Sequence, residues 1–269
     1  MRETLMADAL TIRDLSLSFG GIVALDQVNL SLEAGSIGGL IGPNGAGKTS
    51  LLNCICRFYH PQQGTIRLGD LDVSRRAPHQ LALHGLARTF QHTELFRAMT
   101  VLDNVLVGAH TRGRPSVVGD ALRLPAARRA AAAQLTQARA MLDRFDLTAL
   151  AETRASALPL GLQKRVGLAR ALASRPSLIL LDEPAAGLNP SEKRQMAGLL
   201  KRLQVEFDLT LLLIDHDMDL VMSLCDQVTV LDFGRRIAFG PPHAIQRDPR
   251  VVAAYLGAQY ASALVPEVQ

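Results

Sequence analysis

Eight consecutive residues, Gly42, Pro43, Asn44, Gly45, Ala46, Gly47, Lys48 and Thr49, limit what this chain can fold into more than anything else in it. They match the phosphate-loop pattern G-x-x-x-x-G-K-[ST]. Before them lies a run, residues 37–41, that is apolar or glycine throughout; after them, 48–57 is helix-forming. That context matters, because the pattern works only as a strand-to-helix turn. The glycines let backbone N–H groups converge on phosphate oxygens with no Cβ in the way. The helix N-terminus adds positive potential. Lys48 supplies a point charge for β- and γ-phosphates, and Thr49 a hydroxyl for Mg²⁺. Ser50 completes the predicted contact set.

A loop of this kind predicts an α/β fold of the P-loop NTPase class, and the rest of the chain agrees. Residues 10–19 nearly alternate, with one break at Arg13-Asp14. Gly20-Gly21 reads as a turn, and Val28, Leu30 and Leu32 alternate again. This opening predicts an antiparallel β subdomain with one wet face. Residues 64–73 read as a further strand and turn. Residues 177–181, 211–214 and 228–231 read as buried strands, spaced by helical stretches at 161–174 and 196–207. Strands alternating with helices imply a largely parallel sheet. Between them, 78–158 is helical in character, with its clearest helix at 126–142. The expected organisation is one unit over 10–257. It has a core at about 10–89 and 166–240, a helical insertion subdomain at about 90–165, a C-terminal helix at about 248–257, and a tail at 258–269.

Composition narrows the function classes. The chain has 269 residues, a formal net charge of +4, 4% aromatic residues and no Trp. So few aromatics argue against a base-stacking surface, and no nucleic-acid partner is expected. The three cysteines are too few for a disulfide scaffold, and Cys54, Cys56 and Cys225 have no zinc spacing. No apolar run approaches the roughly 20 residues of a membrane span, and residues 1–9 hold no apolar targeting segment.

A second motif joins the first. The apolar run 178–181 ends in Asp182 and Glu183. Acids at a strand's C-terminal end lie in the crevice where α/β sheets bind ligands. Asp182 suits Mg²⁺ through water, and Glu183 suits an attacking water.

Further residues fall in an order that resembles the ATP-binding subunits of ABC transporters, across about 10–257. Gln91, in Ala87-Arg88-Thr89-Phe90-Gln91, matches that family's Q-loop. Gly187-Leu188-Asn189-Pro190 sits where its D-loop belongs. His216, in Ile214-Asp215-His216-Asp217, matches its switch histidine. Ala87 to His92, Glu183 to Pro190, Asp215 to Met218 and the ending Ala254 to Gly257 look most like the branched-chain amino acid importer ATPases, in particular the longer of that importer's two ATPase subunits.

The resemblance implies ATP and Mg²⁺ as ligands, with Thr49, Gln91 and Asp182 serving the metal. It implies Lys48, Glu183 and His216 as catalytic residues, Glu183 orienting water and His216 sensing the γ-phosphate. It places Phe19 on the adenine ring, although an alternating strand equally allows Phe19 in the core. It implies a second ATPase, a paralogue or another copy of this chain, two integral-membrane permease subunits and, indirectly, a periplasmic solute-binding protein. The chain would then lie at the cytoplasmic face of a bacterial inner membrane. Alternatives are the ATPase of a lipopolysaccharide-type exporter and a non-transport ABC ATPase.

One stretch departs from the family. Its usual signature, Leu-Ser-Gly-Gly-Gln, is here Leu158-Pro159-Leu160-Gly161-Leu162. In the family this segment acts on the partner's γ-phosphate. Pro159 removes a hydroxyl and an N–H donor, and Leu160 adds bulk. Gly161 and the helix start survive. Lys164 and Arg165 read as a solvated helix face, as do Arg123, Arg128, Arg129 and Arg139. Val251, Val252, Tyr255 and Leu256 form a stripe expected to pack on the chain's own domain.

Overall fold

A computed structural model describes residues 10–89, 94–110 and 125–256. Leu10–Phe19 (β1) and Ile22–Leu32 (β2) pair antiparallel across the Gly20-Gly21 turn. The break at Arg13-Asp14 is a bulge inside one continuous strand. Asp14 takes a positive φ of 48° and donates its backbone N–H to Asn29 Oδ1 at 3.0 Å, and the register shifts between Ile12 and Leu15. Ile37–Ile41 (β3) leaves this sheet, and Gln63–Leu68 (β4) and Leu71–Asp72 (β5) return to it in the order β2-β1-β4-β5.

The larger sheet has six strands. Leu86–Thr89 (β6), Leu178–Asp182 (β7), Thr210–Ile214 (β8), Gln227–Asp232 (β9) and Arg235–Gly240 (β10) join β3 in the order β10-β9-β3-β8-β7-β6. Every pairing is parallel except β9 with β10. Strands β3, β7 and β8 are buried from end to end. Their side chains split by period two between separate cores. Ile179, Leu181, Leu211 and Leu213 face one core; Leu178, Leu180, Leu212 and Ile214 face the other. Both faces are covered, so the sequence runs apolar without alternation.

Helices cover those faces. Lys48–Ile55 (α1) and Pro78–Leu81 (α2) lie with the antiparallel sheet on one side. Val101–His110 (α3), Pro125–Arg144 (α4), Leu160–Ala173 (α5), Pro190–Phe207 (α6) and Met218–Leu224 (α7) pack on the other. Pro242–Ile245 (α8) and Pro249–Leu256 (α9) close the described chain, with Ile245 and Val251 buried in the second of these cores.

Three elements differ from the sequence reading. Strand β6 lies within the stretch read as helical from residue 78 onward; it is a four-residue edge strand, too short to show a period of its own. Strand β10 was not expected, because its burial alternates weakly at the opposite edge. Helix α6 starts at Pro190, not near 196. Asn189 caps it, accepting from Ser191 N at 2.9 Å and Glu192 N at 3.0 Å, while Glu192 accepts from Asn189 N at 2.9 Å. The expected 165/166 division falls inside the continuous helix α5. The three cysteines are free and buried. No helix among the described residues is long and apolar enough to cross a membrane.

Helices α3 and α5 meet at Gly108. A Cβ there would come within 1.9 Å of the Arg170 carbonyl oxygen, which is backbone and cannot turn aside. Gly108→Ala is therefore expected to destabilise the protein by about 1–3 kcal/mol, the usual range for overpacking, read as a lower urea midpoint at unchanged m-value.

Candidate nucleotide site

Parallel register brings the site together. Strands β3, β8 and β7 are neighbours running the same way, so their C-terminal ends lie along one edge of the sheet. Gly42 follows β3, Asp215 and His216 follow β8, and Asp182 and Glu183 end β7.

The phosphate loop is held by its own geometry. At Gly42 a Cβ would come within 2.1 Å of the Leu231 carbonyl oxygen, and at Gly47, with φ 100°, within 2.7 Å of the Ala24 carbonyl oxygen. Only glycine fits either place. Ala46 is buried, its N–H donating to Pro43 O at 3.2 Å and its carbonyl accepting from Gly234 N at 3.1 Å. Gly45 has open space around it. Asn44, Gly45 and Thr49 are exposed, while Pro43, Gly47, Lys48 and Ser50 are half-buried. The Lys48 ammonium curls over the loop, donating to Gly42 O at 2.6 Å and Pro43 O at 2.9 Å. Burial lowers its pKa, and the facing carboxylate of Glu183 opposes that shift. The Tyr255 hydroxyl on α9 comes near the Gly42 backbone, which partly offsets the upward push of burial on its pKa. With Val251 buried, the C-terminal stripe packs on its own domain; the Leu256 side chain lies outside the described residues.

Glu183 has a positive φ of 47°, a rare conformation for a residue with a Cβ. Its N–H donates to Ile214 O at 2.7 Å, which ties it to the end of β8. Its Oε1 lies 3.6 Å from His216 Nδ1, an ion-pair separation rather than a hydrogen bond. The His216 side chain is 68% exposed, and its Nδ1 is also 3.8 Å from Asp215 Oδ1. Lys48, Glu183 and His216 are thus gathered around one opening.

Asp182 is not free to face a metal directly. Its Oδ2 accepts from Arg88 Nη2 at 2.9 Å in a buried ion pair. Arg88 also donates to Asn53 Oδ1 on α1 at 2.8 Å. Among the described residues, no group of three or more His, Cys, Asp or Glu could hold a metal by itself. A hydroxyl and one carboxylate suit instead a hard ion that arrives with phosphates and keeps its waters. The Thr49 hydroxyl and Asp182 fit that pattern, Asp182 through water.

Phe19 is 46% exposed at the end of β1, so it is not core. Its ring meets Tyr59 edge-on, centroids 5.0 Å apart, leaving a face for a stacking ligand. Gln91 lies outside the described residues.

A profile described as ABC transporter matches residues 25–186, and one described as branched-chain amino acid ATP-binding cassette transporter matches 235–261. Over 248 residues the chain is 42% identical to the high-affinity branched-chain amino acid transport ATP-binding protein LivG of Escherichia coli (strain K12), covering 92% of this chain and 97% of that one. The chain belongs to the ABC transporter family. The corresponding BraF protein of Pseudomonas aeruginosa is 40% identical over the same share of each chain. A solved nucleotide-free ATP-binding cassette from an ABC transporter superposes with a TM-score of 0.80 at 30% identity, covering 92% of this chain and 98% of that one.

Elsewhere in this ABC cassette the signature segment makes its own contacts. Pro159 occupies the N-cap of α5 with no side-chain bond. Leu158 is buried, Leu160 exposed, and Gly161 and Leu162 half-buried. Leu160 lies against Gly187, where an added Cβ would come within 2.8 Å of Leu160 Cδ2, and Gly161 lies against Glu192. The segment therefore meets the D-loop stretch, and none of these contacts is with the phosphate loop.

The solvated reading of Lys164 is wrong. That side chain is buried and donates to the Glu183 carbonyl oxygen at 2.9 Å. Arg165 is half-buried, bonding Gln195 Oε1 on α6 at 3.1 Å and lying 3.8 Å from Asp146. The helical period puts positions 164 and 168 on one face, and Leu168 is core; that was the missed signal. Arg128, Arg129 and Arg139 are exposed, as expected; Arg123 lies outside the described residues.

Two charge pairs missed in the sequence brace the site, and each carries a test. Removing one partner of the buried Arg88–Asp182 pair leaves an uncompensated charge. Arg88→Met should cost about 3–5 kcal/mol of stability in urea unfolding. The second pair is Lys193 on α6 with Asp217, at 2.5 Å, beside His216. Lys193 holds the Asp217 carboxyl below its ordinary 3.8. A depressed carboxylate contributes stability above the unfolded value and loses it as pH falls through the folded one. The stability gap between wild type and Lys193→Met should be full at neutral pH and close as pH falls below 3.8.

Proposed function

We propose that this chain is the ATP-hydrolysing motor subunit of a bacterial ABC importer for branched-chain amino acids or related amides. The observation that carries the catalytic part is the convergence of Lys48, Glu183 and His216 on the edge formed by β3, β7 and β8. The match of residues 235–261 to the branched-chain transporter profile supports the importer, because it lies outside the general cassette match.

The chain's own residues perform positioning and charge stabilisation. The loop from Gly42 to Ser50 directs backbone N–H groups at the phosphates, and Lys48 turns from Gly42 O and Pro43 O to the β- and γ-phosphate oxygens. Phe19, braced by Tyr59, stacks on adenine. Glu183 orients the attacking water, and His216 reads the γ-phosphate. Mg²⁺, when bound with the nucleotide, neutralises charge on the phosphates; Thr49, Gln91 and Asp182 serve it.

The partners are a second ATPase, two permease subunits and, through them, a periplasmic solute receptor, with this chain peripheral on the cytoplasmic face of the inner membrane. The two nucleotide domains close head-to-tail, each signature segment completing the other's site. The segment from Pro159 to Leu162 lacks a hydroxyl and one N–H, so in a heterodimer the site it completes is the weaker one.

Glu183→Gln should lower ATP turnover by roughly 10²–10⁴-fold, the span of general-base effects, while nucleotide binding persists. The equivalent change in the partner ATPase should matter less, and equal losses would sink the asymmetry. A mild-detergent pull-down of Glu183→Gln with ATP should retain two permease chains, a second ATPase and a solute receptor. Ribosomes, DNA-repair proteins or an outer-membrane-directed bridge in their place would overturn the importer.

A further inference from the structure

Helix α5 carries a buried lysine for which nothing so far assigns a role. Lys164 is 9% exposed, in a helix whose exposed start is the signature segment. An ammonium leaves water only where its charge and its donors are answered. Here the Nζ donates to the Glu183 carbonyl oxygen at 2.9 Å. It also faces the carboxylates of Glu183 and Asp215. Asp215 is 1% exposed, and its Oδ2 has no hydrogen-bond partner among the described residues; Lys164 is a buried cation near it, and His216 Nδ1 lies 3.8 Å from its Oδ1. Lys164 also lines a small cavity of about 30 Å³ shared with Thr89, Arg170 and Asp182.

We infer that Lys164 is a positioning residue for hydrolysis: it holds the Glu183 carbonyl, and so the direction in which the Glu183 carboxylate points. The inference rests on Glu183 being the water-orienting carboxylate. Glu183 sits at a positive φ of 47°, a conformation that a glutamate keeps only where its surroundings over-determine it. Hydrogen bonds clamp its backbone: its N–H donates to Ile214 O of β8, and its carbonyl accepts from Lys164 Nζ of α5 at 2.9 Å and from Ala186 N, within its own turn, at 3.2 Å. Losing the Lys164 tie leaves the carbonyl the longer bond within its own turn, so the turn loosens from α5 and the side chain shifts relative to Lys48 and His216. Lys164 lies one helical turn after Leu160, so the helix that presents the signature segment to the partner's nucleotide also holds this chain's own carboxylate. A movement of α5 is thereby felt at Glu183.

The test uses the complete transporter in detergent. Lys164→Met keeps the unbranched apolar stem as far as Cε and removes the donor. It should lower kcat about 10–100-fold, the scale of a small misplacement of a reacting group, with KM for ATP and nucleotide affinity unchanged. Lys164→Arg, which restores a donor, should recover most of the loss. In a Glu183→Gln background, Lys164→Met should cause no further loss, because both changes act through one group. Should Lys164→Met fail to fold, Lys164→Gln reaches one bond less far and should show a several-fold fall in kcat at unchanged KM. Wild-type turnover per folded molecule in Lys164→Met or Lys164→Gln, or a multiplicative loss in the double variant, overturns the inference. If Glu183→Gln itself hydrolyses ATP normally, the reading of the site is overturned and the inference falls with it. If Glu183→Gln is inactive while Lys164→Met is wild type, this inference alone fails.

Discussion

Everything at the nucleotide site depends on the backbone hydrogen bonds that hold β7, β8 and β3 in parallel register. Asp182 pairs with Ile214, and Leu40 pairs with the same residue from the other side. One residue of slip would put Asp182 in the wrong core and turn Ile214 towards the wrong face. That register is enforced by burial. Each strand sends alternate aliphatic side chains into two cores, so a slip would exchange them all. The chemistry at the strand ends inherits its precision from packing far below it.

The charges near that edge are arranged by the same constraint. Asp182, Lys164 and Asp215 are buried where the helices close over the sheet, so their charges need partners there. Asp182 is answered by Arg88, which reaches it from the neighbouring edge strand and is itself fixed by Asn53 of α1. Lys164 stands over the Glu183 carbonyl and Asp215. Asp217 is answered by Lys193. Each pair joins two elements: β6 to β7, α5 to the turn after β7, and α6 to the loop after β8. The site is therefore a junction of the whole cassette, and α3, α4 and α5 share a core with the sheet. That continuity suits a protein whose nucleotide state has to be felt elsewhere.

Much of this was legible in one dimension. The phosphate loop, the buried strand before it and the two acids at the end of β7 announce themselves, because each is a local pattern with a local cause. Position 19 was ambiguous, since an alternating strand places a residue on one of two faces and only the neighbouring strands say which is wet. Strand β6 was hidden, because four residues at a sheet edge carry too little period to be heard over the helices around them. Lys164 was misread, because charge on a helix usually marks the solvated side. Leu168, one turn on, marks that face as inward, but what Lys164 meets there, the carbonyl of the turn after β7, is set by the packing of α5.

The sequence by itself determined the fold class, the phosphate-binding loop and the acids at the end of β7. A run such as Gly42 to Thr49 leaves the backbone few alternatives, and a fully apolar strand can only be central. Tertiary structure alone decided which charges meet: Arg88 with Asp182, Lys164 with Glu183, Lys193 with Asp217. Those contacts join residues 94, 19 and 24 positions apart, across different elements. A lone charged residue in a sequence records its sign and its reach. What it meets is set by how helices pack on a sheet, and that follows from the shape of the two cores.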